Sequence, residues 1–416
     1  MWTKIKMMIP PLLEWKKTTV GELTSAQIAD LLSIDGIRVE ARPDGQYDVT
    51  PTGNLVGYVR RGDTSMVIHP SKCSAELVIF MMGYTDNPKF LGSDQVDFEN
   101  SEDLLEAFIS VFVRRTMSAI NRGLYRTYRT IDDELSVIRG RVRLSDQITR
   151  KFRVVPPISV SYDEYTVDNT ENRLIRAAVE ISSRMPLRNE RTVKDLQYLR
   201  AMFSEVEHVE FDRRWLPEQV WTRLNEHLSY PVHLAKRIIQ NSSISLERGS
   251  HTSDEFLINM ANVFEDFVAT AIREELKLTN IDMPRANELR NNLYLDTERK
   301  IRLKPDLSRW EGNLCIAVGD VKYKRTTADG ILHPDVYQLL AYATATKLPR
   351  ASIIYACGKG DRDDLTVGIH EVSGTGKVIE VFALDLTKPF HEVLEQISEI
   401  AHSFEPQKDK SKVIAS

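Results

Sequence analysis

A chain of 416 residues, 42% hydrophobic and 28% charged, has the composition of an ordinary globular protein and the length for two or three domains of about 150 residues each. Its net charge of −5 excludes a simple polycation that coats DNA, and its three scattered cysteines (Cys73, Cys315, Cys357) exclude a disulfide framework or a zinc cluster of CxxC type. The opening MWTKIKMMIPPLLEWKK has only a short apolar patch broken by Pro10 and Pro11, and no apolar run nears the roughly 18 residues of a membrane span, so a soluble cytoplasmic protein is expected.

Along the first hundred residues, TSAQIADLL carries a Thr/Ser cap and helical spacing. RPDGQYDV and TPTGNLVGYVRRGDTSMVIHP read as short strands between Pro, Gly and Asp turns, and AELVIFMMGY as a helix packed on that sheet. Residues 1–100 are therefore expected to be a β-rich region. SEDLLEAFISVFVRRTMSAI, from Ser101 to Ile120, has a serine cap, early acids and apolar positions three and four apart, which predicts a helix. ELSVIRGRVRLSDQI reads as a strand interrupted by glycine, and TENRLIRAAVEISSRM and VKDLQYLRAMFSEV as two more helices. These make a mixed, helical middle region over 101–245.

That region is basic. From Val111 to Pro157 eleven Arg and Lys stand against four acids, interleaved with Tyr125, Tyr128 and Phe152. Such a segment suits phosphate, an acidic protein partner, or simply a solvated helix face. The polar SISLERGSHTSDE, about 243–255, reads as a linker. Beyond it, 250–405 is expected to be an α/β unit with a mixed central sheet flanked by helices: a long helix at about 254–276, strands near 293–307 and 313–324, a helix at about 334–346, then the strand ASIIYACG. Residues 406–416 read as a flexible tail. The fold class is thus multidomain, α+β and α/β. SGTGK (Ser373–Lys377) lacks the first glycine of a phosphate-binding loop and has Val378 where the hydroxyl residue belongs, so it reads as a hairpin turn.

The chemistry concentrates in LKPDLSRWEGNLCIAVGDVKYK. Side chains alternate along a strand, so Asp320 and Lys322 share one face. With Asp306 at the edge of the neighbouring strand, two carboxylates and an ammonium would meet where the sheet opens. The carboxylates would repel unless a hard cation lay between them, and Mg²⁺ is commonly held by one or two carboxylates plus water. An isolated Asp-x-Lys is usually a surface ion pair. Here Pro305 precedes Asp306, Gln338 and Tyr342 share a face of the following helix, and Glu265 lies among Phe264, Phe267 and Val268 where a charge needs a reason.

This order of features resembles the PD-(D/E)xK nuclease superfamily, and VYQLLAY is similar to the Gln-x-x-x-Tyr element of its RecB-like members. The resemblance implies a Mg²⁺-dependent endodeoxyribonuclease with Asp306 and Asp320 as metal ligands, the Val321 carbonyl as a third, and Lys322 as the catalytic lysine. It makes Glu265 the helical acid, with Asp266 and Glu274 close by, and gives Gln338 and Tyr342 a supporting or DNA-contacting role. GLYRTY, LSVIRGRVRL and YDEYTVDNTENRLIRAAV, followed by FEDFV, LKPDL and GDVKYK, further resemble the McrC family, nuclease subunits of McrBC-type modification-dependent restriction systems. That implies double-stranded DNA as substrate and a hexameric AAA+ GTPase as partner, McrB-like, which recognises modified DNA, translocates and is stimulated by this chain. Residues 1–100 would then be partner-binding, and Arg126, Arg139 and Arg141 would contact partner or DNA. The alternatives are a self-sufficient RecB-like nuclease and a non-catalytic activator of an AAA+ motor.

Overall fold

The computed structural model describes residues 7–88, 103–151, 156–246, 252–285, 293–324, 333–359 and 367–406. The expected tail beyond 406 and the Ser101 cap lie outside these residues. Tertiary contacts divide the chain into two units, residues 1–107 with 243–416, and residues 108–242.

In the first unit the expected N-terminal helix is Ser25–Leu32, closed by a capping box in which Thr24 and Gln27 satisfy each other's backbone N–H. It lies beside an antiparallel sheet of Thr18–Val20, Tyr47–Pro51 and Ile37–Ala41. Leu12, Leu31, Val49 and Met66 form the core there. A six-stranded sheet runs Met7–Met8, Thr64–His69, Leu55–Arg61, Thr252–Asn259, Ser242–Leu246, with Leu12–Leu13 also paired to Thr64–His69. The stretch read as a linker is therefore largely strand. Its polarity misled because the first half of Thr252–Asn259, Thr252 to Glu255, is wholly polar, and Leu55–Arg61, the antiparallel partner of this strand, lies far away in sequence. The same pairing shortens the next helix to Met260–Glu275, which begins where the Asn259 side chain accepts from the N–H groups of Ala261 and Asn262.

The C-terminal part of this unit is a mixed five-stranded sheet, ordered Leu307–Glu311, Leu314–Lys322, Arg350–Cys357, Lys377–Asp385, Gly368–Val372. The two outer pairings are antiparallel and the two inner ones parallel. The inner strands are buried, as parallel strands must be. Val318, Ile353 and Val381 pack with Leu339 and Tyr342 of the helix His333–Ala345. The expected strand at 293–307 is reduced to the short pairing of Leu293–Tyr294 with Arg302–Leu303. SGTGK does turn a hairpin, between Gly368–Val372 and Lys377–Asp385.

The second unit takes in most of the helix Leu104–Ala119. Its strands Thr127–Leu135 and Ile158–Thr166 pair antiparallel over nine positions, with Arg141–Val142 on the far side of Ile158–Thr166. Gly140 holds a φ of +71°, and a Cβ there would lie 2.4 Å from the Ser161 carbonyl oxygen, so the glycine of RGR is required by the turn. Where the sequence suggested continuing strand, Leu144–Lys151 is helical. The buried Gln147 explains this: its side chain accepts from the Ser159 N–H at 2.7 Å, docking one helical face on the sheet. The expected helices follow as Thr170–Ser182 and Glu190–Met202, and a further one, Ser229–Asn241, packs on the first of these.

Candidate active site

Asp320 sits near the end of the strand Leu314–Lys322 with 1% of its surface exposed. Gly319 before it permits the close packing: a Cβ there would lie 2.8 Å from the Ser352 carbonyl oxygen and 2.9 Å from the Phe404 ring. Leu307 pairs with Gly319, which sets Asp306 across from Asp320. The Val321 N–H donates to Asp306 Oδ2 at 3.0 Å, clamping that carboxylate to the strand end. Lys322 Nζ stands 3.6 Å from Asp306 Oδ2 and forms a close ion pair with Asp320. The sheet thus brings Asp306, Asp320 and Lys322 together.

The electrostatics of this cluster are those of a charge held against its own solvation. Burial, then the neighbouring Asp306, pushes the Asp320 carboxyl well above the usual carboxylate range. Burial works against the Lys322 ammonium, but Asp320 and Asp306 outweigh it and its pKa rises. Both Asp320 oxygens are buried: Oδ2 meets the Lys322 ammonium, and Oδ1 accepts no hydrogen bond among the described residues. A buried carboxylate oxygen with no donor is what a hard cation would satisfy, and two carboxylates with a backbone carbonyl are a donor set suited to Mg²⁺. No group of three or more His, Cys, Asp or Glu among the described residues is disposed to hold a metal ion, so the fit rests on two carboxylates.

Glu265 projects from the helix Met260–Glu275 and is half-buried. Burial first, then Asp306 and Asp266, raise its pKa to about 7, so it faces the same negative cluster. Gln338 and Tyr342 act together one layer back. Gln338 Nε2 donates to the Tyr342 hydroxyl at 2.6 Å, and that hydroxyl donates to the Lys304 carbonyl at 3.1 Å, two residues before Asp306. Tyr342 is buried, so it braces the loop that carries Asp306.

Sequence reasoning missed two residues beside this centre. Asp335 is buried and accepts from Lys324 Nζ at 2.7 Å and the Tyr355 hydroxyl at 2.9 Å. Its negative charge also reaches Lys322. Glu14 accepts at 2.9 Å from the hydroxyl of Tyr323, the residue after Lys322. Asp335 was findable from a buried-face position on the helix; no local pattern points to Glu14.

Arg126, Arg139 and Arg141 lie in the other unit and are exposed. The Arg139 guanidinium stacks over the Tyr162 ring at 4.0 Å and approaches Glu164 at 3.9 Å. Part of the local positive charge is answered internally: Arg129 pairs with Asp168, and Arg143 with Asp132 and Asp146. The side chains of Arg150, Lys151, Phe152 and Arg153 lie outside the described residues. No helix among the described residues is long and apolar enough to cross a membrane.

Among curated proteins none matches the sequence. Of solved structures, a half-complex from a tetradecameric assembly of Thermococcus gammatolerans McrB AAA+ hexamers with bound McrC is similar in fold. Its TM-score is 0.59 at 18% identity, over 96% of this chain and all of the other. The cryo-EM structure of the Thermococcus gammatolerans McrBC complex is more distantly similar, with a TM-score of 0.43 and 20% identity over 65% of this chain and 88% of the other. Residues 51–356 match the family described as McrBC 5-methylcytosine restriction system component, a span that holds the RGR turn, Glu265 and the whole Asp306, Asp320, Lys322 cluster. The chain belongs to the McrBC family of 5-methylcytosine restriction system components.

Proposed function

We propose that this chain is the DNA-cutting subunit of a McrBC-like restriction complex, a Mg²⁺-dependent endonuclease of the PD-(D/E)xK type. It would work with a hexameric AAA+ GTPase of McrB type, which it stimulates and which recognises modified double-stranded DNA. The observation that carries the reading is the Asp320 carboxyl, buried at a strand end beside Asp306 and Lys322 with its Oδ1 unsatisfied among the described residues. A purely structural carboxylate would have both oxygens satisfied; a catalytic site leaves one for a ligand.

In this reading Asp306, Asp320 and the Val321 carbonyl hold the cation. When bound, Mg²⁺ supplies positive charge to the scissile phosphate and acidifies water. Lys322 then offsets negative charge on the phosphate and orients the attacking water by donating to it. Glu265, half-buried and with its pKa near neutrality, takes a proton from that water. Tyr342 and Gln338 keep the Asp306 loop in place.

The test is cleavage of methylated plasmid DNA with Mg²⁺, by wild type and Asp320→Ala or Lys322→Ala, each with and without the AAA+ partner and GTP. Cutting by wild type alone among the proteins, and only with partner and GTP, is the expected result. Both variants should still stimulate the partner's GTP hydrolysis. Cutting without the partner would establish a self-sufficient nuclease instead. Stimulation with no cutting under any condition would make the chain an activator.

A further inference from the structure

The first unit holds a cavity of about 360 Å³, within the roughly 300–1,000 Å³ usual for small-molecule sites. It is lined by Glu14, Trp15, Lys16, Ser71, Lys72 and Lys359. Gly358 also borders it, and a Cβ there would lie 2.8 Å from Lys72 Cα, so only glycine lets that lysine approach. Lys16 and Lys359 are exposed, while Lys72 is buried with its ammonium 5.7 Å from the Trp15 ring centroid. Tyr323 connects the cavity to the catalytic strand: its ring lies 5.5 Å from Trp15 and 6.0 Å from Phe264, and its hydroxyl donates to Glu14.

Glu14 points to the occupant. It is 2% exposed, and its Oε2 accepts from the Ser71 N–H at 3.0 Å and the Tyr323 hydroxyl at 2.9 Å. Its Oε1 is buried and has no hydrogen-bond partner among the described residues. A carboxylate oxygen held this way asks for an N–H donor. The two exposed ammonium groups, Lys16 and Lys359, suit an anion. An indole at the rim asks for a flat ring. A nucleotide with an amino-bearing base combines all three, and a carboxylate accepting from the exocyclic amine of cytosine is a known base contact.

We propose that this cavity takes one unpaired nucleotide of DNA. Its base lies against Trp15, its exocyclic amine donates to Glu14 Oε1, and its phosphate faces Lys16 and Lys359. The inference rests on the DNA-cutting reading for the source of the nucleotide, but its recognition requires no cutting.

The test measures fluorescence anisotropy of labelled single-stranded oligo-dC and oligo-dT titrated with the full chain. It is run at pH 8.5, above the value of about 7 to which burial pushes Glu14. Wild type should bind oligo-dC more tightly than oligo-dT. Trp15→Ala should weaken binding by about 5- to 150-fold, the usual loss of one stacked base. Because Trp15 also packs on Tyr323, the exposed Lys16→Glu provides a second variant that leaves the fold alone, and it too should weaken binding. Glu14→Gln puts an amide donor where Oε1 stood and should reverse the preference toward thymine, whose O4 is an acceptor. Trp15→Ala and Lys16→Glu binding as wild type does would overturn the proposal, as would equally tight binding of base-free polyphosphate. Asp320→Ala in the cleavage assay tests the nuclease reading separately. Its loss of cutting beside unchanged binding by the cavity variants would sink the pocket alone.

Discussion

Glu14 should make this protein less stable as pH rises through neutrality. In the fold its pKa is raised from 4.5 to about 7, with burial the main cause and the Ser71 and Tyr323 hydrogen bonds opposing it. The folded state therefore keeps a proton that the unfolded chain has released between those two values. Stability from this group is fully present below pH 4.5 and is lost as pH climbs to 7, where the fold must hold a buried carboxylate. A difference of that size corresponds to about 3 kcal/mol, and at 2% exposure little of it is screened. Glu14→Gln removes the titration while its amide oxygen can still accept from Ser71 and Tyr323. The stability difference, variant minus wild type, should accordingly grow by about 3 kcal/mol between pH 4.5 and pH 8. Urea unfolding of both proteins at four pH values in that interval measures it, because other titrating groups cancel in the difference. A difference that stays flat with pH would refute the reasoning.

Tyr342→Phe removes the hydroxyl joining Gln338 to the Lys304 carbonyl; about 1–2 kcal/mol of stability should go, and DNA cutting should fall about tenfold as Asp306 loosens, read by urea midpoint and cleavage rate. Gly319→Ala drives a methyl against the Ser352 carbonyl and the Phe404 ring; a cost of about 1–3 kcal/mol is expected in thermal unfolding, and adding Phe404→Leu should not restore it because the carbonyl remains. Arg139→Glu should weaken association with the AAA+ partner or with DNA, more so at low salt. An equal loss at every salt concentration would assign the effect to the stacking on Tyr162 instead.

The cluster of Asp306, Asp320 and Lys322 was legible because it obeys local rules. Alternation puts Asp320 and Lys322 on one face, and helical spacing aligns Gln338 with Tyr342. What escaped was set by distant pairing. Thr252–Asn259 looked like linker and then helix, since its strand partner is Leu55–Arg61. Asn259 nevertheless marked the true helix start, had its capping side chain been weighed above the apolar spacing that follows. Glu14 and Tyr323 are 309 residues apart, and only the fold makes a carboxyl near the N-terminus part of the surroundings of Lys322. The basic stretch 111–157 was real as composition, but two of its arginines, Arg129 and Arg143, are bound to acids that sequence counting could not assign to them.

The pairing of Leu55–Arg61 with Thr252–Asn259 also dictates an order of events during synthesis. Arg60 and Asp254, which meet across it, are separated by 194 residues. Closing a loop of that length costs about 4–5 kcal/mol in chain entropy before any contact repays it. At roughly 5–20 residues per second, the strand Leu55–Arg61 waits about 10–40 s on the ribosome for its neighbour. Until then it is an open edge, the kind of surface on which nascent chains pair wrongly. Arg60 and Arg61, which finally meet Asp254 and Glu255, stand on that edge as charges in the meantime. The residues that seal the finished sheet first keep it from joining another.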